Sequence, residues 1–522
     1  MVRLVCYGGV NEIGGNKILV RSDKGSIFLD FGVSFREEAL FFEEFLQPRA
    51  AFKIQDLFKL GLLPKIPGIY RKDALCPIGL EKHEFRGETL WRTDLQSFEE
   101  AANANSWHPD AVFISHAHFD HCGYIPYLGN IPFACSEITQ KLMVAIAEIG
   151  NLSGLDKQLT VLKTRKKGTL GKSSYFPETL KIDYTKEPTN RDICTLNHKE
   201  KQLVGDKIEI TGFDVGHSIP GSMACLVELD KSQVLYTGDL RFHGRSGCDL
   251  RKELKDLKPD LMICEGTRID EEKPDDEKQV EIELASLFSK SKGLVMVGFA
   301  WKDIDRYETV RDAAKKSGRI PVFDPRLAYL LARLDRSVYN EGAKAFLERC
   351  GSMLYSPSDY VYSKHKIGEM PLSNWSRATK ATPSVVDTLH LEKGISALEL
   401  SKNPHSYVLH LDYFRFKNIL DLDLPKGSIF VRAQCEPFNP RMELSQERMK
   451  RWLKHFGINA ENGHEPYQIH ASGHASGLEI QEMINEIKPK KLVPVHTMKP
   501  DLFRNPAGKV IKSQKGLEIH VP

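Results

Sequence analysis

Residues 113–128 read FISHAHFDHCGYIPYL, a stretch with an unusual density of potential ligands. Three histidines and an aspartate follow an apolar run directly: His116, His118, Asp120 and His121. A histidine in a protein core usually occurs alone, and a solvent-exposed face does not need three imidazoles beside a carboxylate. The cluster is therefore either the chance content of a polar loop or half of a metal site whose other ligands lie far away in sequence.

The spacing of the cluster favours a metal site. His116 and His118 are two residues apart at the end of a predicted strand and therefore point to the same side. Asp120 and His121 begin the next turn and face the same space. Imidazole and carboxylate without thiolate suit zinc or manganese with open coordination positions, as hydrolysis requires. Four such ligands exceed what one ion needs if it also holds water, so we expect further ligands at other strand ends.

Three further residues meet this expectation. His217 lies in DVGHSIPGS, Asp239 in LYTGDL and His496 in LVPVHT, each just past a predicted strand. The Asp239 carboxylate is placed to bridge two ions. Each could singly be a polar residue at a strand end, but seven such residues in this order indicate a two-metal site. Asp30, in IFLDFG, is predicted to orient a ligand histidine or a loop, and the alternative is a hydrogen-bonded residue in a turn.

The composition excludes several classes of protein. With 522 residues, 41% hydrophobic and 27% charged, the chain is typical of a soluble globular protein of two or three domains. The net charge is only +3, so any contact with nucleic acid must be a local basic groove. No signal-like segment or apolar run of about 18 residues occurs, which predicts no membrane association. Ten cysteines without a C-x-x-C pair predict reduced thiols and a cytoplasmic location.

The order of predicted elements divides the chain into three parts. The first third alternates short β-branched strands with glycine turns, interrupted at about residues 35–107 by a helical insertion of open purpose. The charged run EEKPDDEKQ at residues 271–279 predicts a boundary. A βαβα pattern follows and predicts a parallel sheet. We therefore expect a first domain over 1–270, completed by 436–522, and an inserted domain over 271–435.

The motif HAHFDH, together with His217, Asp239 and Asp30 in their contexts, resembles the metallo-β-lactamase fold. That resemblance implies an αββα sandwich with a two-metal site along one edge. The later motifs resemble the β-CASP nucleases of this fold: Glu265 in LMICEGT, then the inserted βαβα domain, then His474 and His496. The predicted fold class is thus α/β, a metallo-β-lactamase αββα sandwich with an inserted βαβα parallel-sheet β-CASP domain.

Within that group the chain is similar to the RNase J family. The similarity rests on YGGVNEIGGNKILV, HFDHCGYIPYL, HASGHAS and FVRAQCEPF. It implies a metal-dependent ribonuclease that acts on single-stranded RNA as a 5′→3′ exonuclease, with endonuclease action left open. Because only a short tail follows His496, we do not expect the C-terminal domain of many RNase J proteins, and the oligomeric state stays open.

The resemblance also implies roles for the ligands. Two ions about 3.5–4 Å apart would activate water and grip the phosphate oxygens. One set of ligands would be His116, His118 and His217, the other would be Asp120, His121 and His496, and Asp239 would lie between them. Zinc is expected, with manganese as the alternative, because these ligands serve both ions.

Three carboxylate and imidazole groups are predicted to act on protons. Asp120 is expected to accept a proton from the attacking water. His474 is the candidate general acid for the leaving 3′-oxygen, with Glu265 holding its tautomer and raising its pKa. The alternative for Glu265 is a buried salt bridge across the domain boundary.

The loop HASGHASG is predicted to bind a phosphate in an anion nest ahead of a helix. Its small residues would let backbone N–H groups approach the anion, and His470 would add a charged contact. The candidate substrate-binding residues are His470, Ser472, Gly473, Ala475 and Ser476.

Two other functions remain open on the sequence alone. One is a DNA nuclease of the β-CASP repair branch: the HASGHAS loop and the glycine-rich opening favour RNA, but no residue pattern reads a 2′-hydroxyl group. A non-catalytic RNA-processing scaffold would have lost ligands, whereas this chain keeps all of them. A small-molecule hydrolase is disfavoured because the inserted domain would cover the site.

Overall fold

The computed structural model describes residues 1–43, 45–49, 53–76, 93–149, 152, 154–171, 179–185, 187–205, 207–245, 247–347, 394–435 and 440–521. Within these ranges no helix has both the length and the apolar content to cross a bilayer.

The strands are named in chain order. Those before the charged run at residues 271–279 are β1 (Val2–Gly8), β2 (Lys17–Arg21), β3 (Ser26–Phe31), β4 (Ala111–Phe113), β5 (Phe133–Cys135), β6 (Val161–Leu162), β7 (Arg165–Gly171), β8 (Thr179–Tyr184), β9 (Thr189–Asn190), β10 (Ile193–Thr195), β11 (Lys201–Val204), β12 (Ile208–Asp214), β13 (Met223–Leu229), β14 (Ser232–Tyr236) and β15 (Leu261–Glu265). Those after it are β16 (Val295–Gly298), β17 (Ile320–Phe323), β18 (Lys344–Leu347), β19 (Ile395–Ser396), β20 (Tyr407–His410), β21 (Ile429–Arg432), β22 (Tyr467–Gln468), β23 (Lys491–Val495), β24 (Lys509–Val510) and β25 (Glu518–Val521).

The α-helices are named in the same way. They are α1 (Phe35–Glu38), α2 (Lys53–Lys59), α3 (Lys72–Leu75), α4 (Phe98–Asn103), α5 (Phe119–Cys122), α6 (Glu137–Ile149), α7 (Leu250–Glu253), α8 (Glu277–Lys290), α9 (Ile304–Lys316), α10 (Pro325–Arg333), α11 (Ala397–Lys402), α12 (Pro440–His455) and α13 (Gly477–Ile487).

Two mixed sheets pack face to face. The first sheet has the strand order β10-β5-β4-β3-β2-β1-β25, and the second has the order β11-β12-β13-β14-β15-β23-β24. Their inner faces share one apolar cluster, in which Phe113 of the first sheet and Tyr236 of the second meet edge to face at 6.3 Å. Strands β3 and β15 are buried along their whole length, because the opposite face of each sheet is covered as well.

Helices cover both outer faces. On the second sheet, α13 presents Ile480, Met483, Ile484 and Ile487 at helical spacing to the strand residue Leu492. On the first sheet, α6 and the helices of the 35–107 insertion complete the cover. This four-layer arrangement confirms the predicted αββα sandwich.

The 35–107 insertion belongs to this outer layer where it is described. Its residues Leu57, Phe58 and Tyr70 are buried in the same apolar cluster as Phe31 of the first sheet. Arg71 is buried as well and forms an ion pair with Asp73. The insertion therefore packs as part of the sandwich, and residues 77–92 lie outside the described ranges.

The inserted domain is built on a third sheet, of order β19-β18-β17-β20-β16-β21-β22, in which every recorded pairing is parallel. Helices α8 and α9 cover one face, and α12 covers the other. This confirms the predicted parallel-sheet insertion.

The expected end of the inserted domain at residue 435 is too early. Met449 and Leu453 of α12 pack in one cluster with Met296 and Phe430 of the third sheet, and β22 adds the edge strand at residues 467–468. The expected boundary places helix α12 in the first domain. Strand β22, which follows α12 and completes the third sheet, has only two residues and therefore leaves no sequence pattern. The chain rejoins the sandwich at the loop 470–476.

Candidate metal centre

The predicted ligands lie at the ends of different strands along one edge of the sandwich. His116 and His118 follow β4, and Asp120 and His121 lie in the short helix α5. Of the others, His217 follows β12, Asp239 follows β14 and His496 follows β23. Strands β14, β15 and β23 are parallel neighbours, so their carboxyl ends meet at the same edge. The topology therefore explains how residues almost 400 positions apart, from 116 to 496, come together.

Three imidazoles form the first group. His118 Nδ1 lies 3.0 Å from His116 Nε2 and 3.2 Å from His217 Nε2. The Nδ1 atom of His217 donates a hydrogen bond to the Gly473 carbonyl oxygen at 2.5 Å, so its neutral ring has a lone pair on Nε2. The three ring nitrogens face one another closely enough that one cation could bind all of them.

The Asp239 carboxylate lies between the first group and a second one. Its Oδ2 atom is 3.1 Å from His121 Nε2, 3.5 Å from His496 Nε2, and 3.8 Å from His116 Nε2 and His217 Nε2. Asp120 Oδ2 lies 3.3 Å from His496 Nε2. Asp120, His121, Asp239 and His496 thus form a four-ligand group whose donor atoms are mutually within 4.8 Å, beside the group His116, His118 and His217.

Hydrogen bonds behind the imidazoles fix their orientation. The Asp30 Oδ2 atom accepts from His121 Nδ1 at 2.7 Å and from the Tyr236 hydroxyl at 2.6 Å. Both the N–H and the hydroxyl of Ser115 donate to the Asp30 carboxylate at 2.7 Å. Asp30 makes no recorded contact with the other carboxylates of the centre, and its position behind a histidine agrees with the expected orienting role.

The electrostatics of the centre suit a cation. Burial and neighbouring imidazoles lower the pKa of His116 and His118 well below the usual value, and burial with His474 lowers the pKa of His217 to about 3. These rings are therefore neutral, the form that binds a metal. Burial alone would lower the pKa of His121, but the carboxylates of Asp239, Asp30 and Asp120 outweigh it and raise the pKa well above the usual range. The carboxylates thus favour positive charge at this point.

Two buried atoms of the centre lack a hydrogen-bond partner. These are His121 Nε2 and Asp239 Oδ1, both almost inaccessible to solvent. A buried nitrogen or carboxylate oxygen without a partner lowers the stability of the folded protein. Both atoms belong to the four-ligand group, and bound metal would satisfy them. The residues present therefore fit a divalent metal ion.

His474 and Glu265 form a pair at the rim of the centre. His474 Nδ1 lies 3.0 Å from Glu265 Oε1 and 3.9 Å from Asp239 Oδ2. Burial alone would lower the pKa of His474, but the Glu265 carboxylate outweighs it and raises that pKa to about 9. Backbone N–H groups of Leu240 and Thr267 donate to the Glu265 carboxylate at 3.0 Å and hold it in place.

The loop 470–476 does not form the predicted anion nest. The N–H of Ser472 donates to Asp275 Oδ2 at 2.7 Å, the N–H of Ala475 to the Leu240 carbonyl at 2.7 Å, and the N–H of His474 to the Ser472 hydroxyl at 3.2 Å. These acceptors come from distant segments and are invisible in the loop sequence. The N–H groups of Ser472, His474, Ala475 and Ser476 are thus bonded within the protein.

Two further residues of the predicted nest have different roles. Ser476 caps α13 in a capping box with Glu479, and Gly473 supplies the carbonyl that orients His217. His470 was expected to carry a charge. Burial and the neighbouring Arg306 instead lower its pKa to about 2, so its imidazole is neutral.

Three residues of the centre were missed from the sequence. Ser115 and Tyr236 bond to Asp30, and the Thr267 hydroxyl lies 2.8 Å from His496 Nδ1. Ser115 and Thr267 stand directly beside predicted functional residues, in FISHAH and EGT, and this adjacency was an available signal. Tyr236 had none, because a strand tyrosine is usually a core residue.

Comparison with known proteins agrees with this geometry. Residues 87–266 match a family profile described as the metallo-β-lactamase superfamily. Residues 465–522, which contain His474 and His496, match one described as a Zn-dependent metallo-hydrolase RNA specificity domain. A crystal structure of a protein of unknown function from Enterococcus faecalis superposes with a TM-score of 0.66 at 20% identity and covers 99% of both chains.

Relatives of this chain include several named ribonucleases. It is 21% identical over 518 residues to the Ribonuclease J of Methanocaldococcus jannaschii, which covers 95% of this chain and 91% of that protein. The Ribonuclease J of Pyrococcus abyssi is 22% identical over 95% of this chain and 90% of its own length. A further relative from M. jannaschii, an RNase J-like protein, is 29% identical, but the match spans only 31% of it. The chain thus carries a metallo-β-lactamase domain and an RNA specificity domain, and over most of its length it is similar to Ribonuclease J proteins.

Proposed function

We propose that this chain is a metal-dependent ribonuclease that hydrolyses single-stranded RNA. The observation that carries the proposal is the convergence of seven candidate ligands at an edge of the sandwich that the inserted domain adjoins. They are the five imidazoles of His116, His118, His121, His217 and His496 and the two carboxylates of Asp120 and Asp239. The relatives named Ribonuclease J and the matched RNA specificity domain support RNA as the substrate.

The donor groups support two divalent ions. One would be held by His116, His118 and His217, the other by Asp120, His121 and His496, with Asp239 shared. Zinc is the proposed metal and manganese the alternative. When bound, the metal pair lowers the pKa of water and neutralises charge on a phosphodiester.

The chain's own residues complete the chemistry. Asp120 is placed to accept a proton from attacking water, and Asp30 holds His121 in the orientation that its role requires. His474 carries a proton at neutral pH because Glu265 raises its pKa to about 9. That proton is available to the leaving 3′-oxygen, which makes His474 the proposed general acid.

We further propose 5′→3′ exonuclease action in a reducing, cytoplasmic compartment. The exonuclease direction is what the resemblance of the motifs to the RNase J family implies. The described cysteines are free thiols, which supports the compartment. The site that would select a 5′-monophosphate is not assigned to the N–H groups of Ser472, His474 and Ala475, because they are bonded internally.

The testing experiment compares end-labelled single-stranded RNA with the matching DNA. Each substrate is offered with a 5′-monophosphate, a 5′-triphosphate or a 5′-hydroxyl end, in zinc or manganese. The proposal expects RNA carrying 5′-monophosphate to be degraded to mononucleotides, with Asp120→Ala inactive. Equal or faster DNA cleavage would assign the chain to DNA processing. No cleavage of either substrate by metal-loaded protein would support a non-catalytic scaffold.

A further inference from the structure

Lys302 of the inserted domain approaches the metal centre of the sandwich. It lies between β16 and α9, and its Nζ is 5.4 Å from the centre of the Phe119 ring. Phe119 stands between His118 and Asp120 in the motif HAHFDH. Through this contact with Phe119, the lysine lies next to the segment that carries the candidate ligands His118 and Asp120.

The Lys302 ammonium group differs from other cations at this domain junction. Arg241 donates to Asp305 at 2.7 Å, Arg268 to Glu271 at 2.6 Å, and Arg306 to Glu277 at 2.9 Å, so each arginine is neutralised. Among the described residues, no carboxylate within ion-pair distance and no hydrogen-bond acceptor is recorded for Lys302 Nζ.

A half-buried ammonium group without an acceptor loses hydration without full compensation. Contact with the Phe119 ring offsets only part of this lost hydration free energy, because cation–π contacts are worth about 0.5–2 kcal/mol. A phosphodiester at the neighbouring metal centre would bring the missing negative charge. Lysine is a compact point charge that commonly binds phosphate in this way.

We propose that Lys302 is a substrate-binding residue of the inserted domain that contacts a non-bridging oxygen of the scissile phosphate. The proposal rests on the ribonuclease function proposed above and adds a named contribution of the inserted domain to it.

The test compares Lys302→Met, which removes the charge, with Lys302→Arg, which keeps it, and with Lys278→Met on the exposed surface of α8 as the matched control. Steady-state cleavage of RNA, bound metal and melting temperature are measured for all four proteins. RNA binding at several salt concentrations is measured in a His474→Ala background that slows turnover.

We expect Lys302→Met to lower kcat/KM by about 10–100-fold, the loss typical of one charged hydrogen bond, with bound metal and melting temperature unchanged. The slope of log binding constant against log salt should fall by about 0.7, the loss of one phosphate contact on a single strand. Lys302→Arg should restore most of the activity, and Lys278→Met should match the wild type.

If the wild type cleaves RNA and the Lys302→Met variant cleaves it equally well, this inference is overturned but the proposed ribonuclease function stands. A variant that melts at lower temperature with an unchanged salt slope would reduce Lys302 to a packing role over Phe119. If the metal-loaded wild type cleaved no RNA, the proposed function would fail and this inference with it.

Discussion

Asp30 shows how much of the centre depends on a residue that contacts no proposed substrate or metal. Its carboxylate accepts four hydrogen bonds, from two Ser115 groups, Tyr236 and His121. Its backbone has a φ of 59°, a left-handed conformation that aspartate tolerates better than most residues. The residue is therefore held in one position, and it holds His121 in turn.

We predict that Asp30→Asn weakens metal binding by about 10–100-fold, the usual effect of losing an orienting partner. The amide cannot accept as many hydrogen bonds as the carboxylate and removes a negative charge beside His121. Competition with a chelator measures the affinity. Asp214→Asn, at the exposed end of β12, is the control and should bind metal as the wild type does. Equal affinities in all three proteins would contradict the orienting role.

We predict that Glu265→Gln shifts the alkaline limb of the rate profile to lower pH. Glu265 raises the pKa of His474 to about 9, so its loss lets that pKa fall and the acid form disappear earlier as pH rises. His474→Ala should lower kcat by about 10²–10⁴-fold. Profiles of kcat against pH are measured for both variants. The control is His198→Ala, because His198 is partly exposed and lies beside the end of β12, away from the centre. An unmoved limb in Glu265→Gln would contradict the general-acid assignment.

At the residue scale, the sequence located the groups that converge and missed those that support them. The candidate ligands could be found because each is a histidine or aspartate just past a predicted strand, and both features can be read from the neighbouring sequence. Ser115 and Thr267 stand beside predicted functional residues in the sequence, but the groups that they contact, Asp30 and His496, come from other segments. The approach of Lys302 to Phe119 is likewise non-local.

At the scale of elements, α13 shows why the anion nest was a wrong interpretation. Small residues before a helix are common both in phosphate-binding loops and in ordinary helix caps. Here Ser476 accepts from the N–H of Glu479, whose carboxylate accepts from the N–H and hydroxyl of Ser476. The loop sequence fits either use, and only the acceptors supplied by distant segments distinguish them.

We predict that Ser476→Ala lowers the free energy of unfolding by about 1 kcal/mol, the usual value of a helix cap. RNA cleavage under conditions where the protein stays folded should change less than tenfold. Ser396→Ala, which removes the equivalent cap of α11 in the inserted domain, is the matched control. A hundredfold loss of activity in Ser476→Ala alone would restore a substrate-binding role for this residue.

Most longer elements could be predicted because their periodicity is strong. Helices α6 at Glu137–Ile149 and α13 at Gly477–Ile487 both have apolar residues at helical spacing, which is a local property of the sequence. The boundary error at residue 435 arose at β22, where pairing with β21 defines a two-residue strand. Strand pairing is a non-local property, so edge strands of this length cannot be read from sequence.

At the scale of the whole molecule, buried ion pairs join the inserted domain to the sandwich. Arg241 is almost fully buried, and its guanidinium donates to Asp305 of α9 at 2.7 Å and to the Ser472 carbonyl at 3.2 Å. It thus ties the loop carrying His474 to the inserted domain. A change in domain position would therefore move the proposed general acid.

We predict that Arg241→Met destabilises the protein by about 3–5 kcal/mol, because it leaves buried acceptors unpaired. Arg245→Met is the control, since Arg245 is partly exposed and its ion pairs with Glu281 and Asp312 should contribute under about 1 kcal/mol. Denaturant unfolding of both variants tests the difference. Equal losses in the two variants would contradict the role given to Arg241.

The architecture as a whole could be predicted because one motif restricted the fold and the βαβα pattern revealed the insertion. The packing of the 35–107 insertion against the first sheet could not, because its apolar residues fit any surface. The contact of Lys302 with Phe119 likewise depends on how the two domains lie together.

Metal-dependent RNA cleavage is tested most directly by measuring the metal content of the purified chain and RNA cleavage by the same sample. Both are measured for the wild type and for Asp239→Asn. Asp239 Oδ2 lies within 3.9 Å of a nitrogen of five imidazoles, so this change affects both ligand groups. We expect two divalent ions per wild-type chain and cleavage of RNA, with metal lost and cleavage abolished in the variant. Undiminished RNA cleavage by Asp239→Asn, or by wild type stripped of metal, would contradict this expectation.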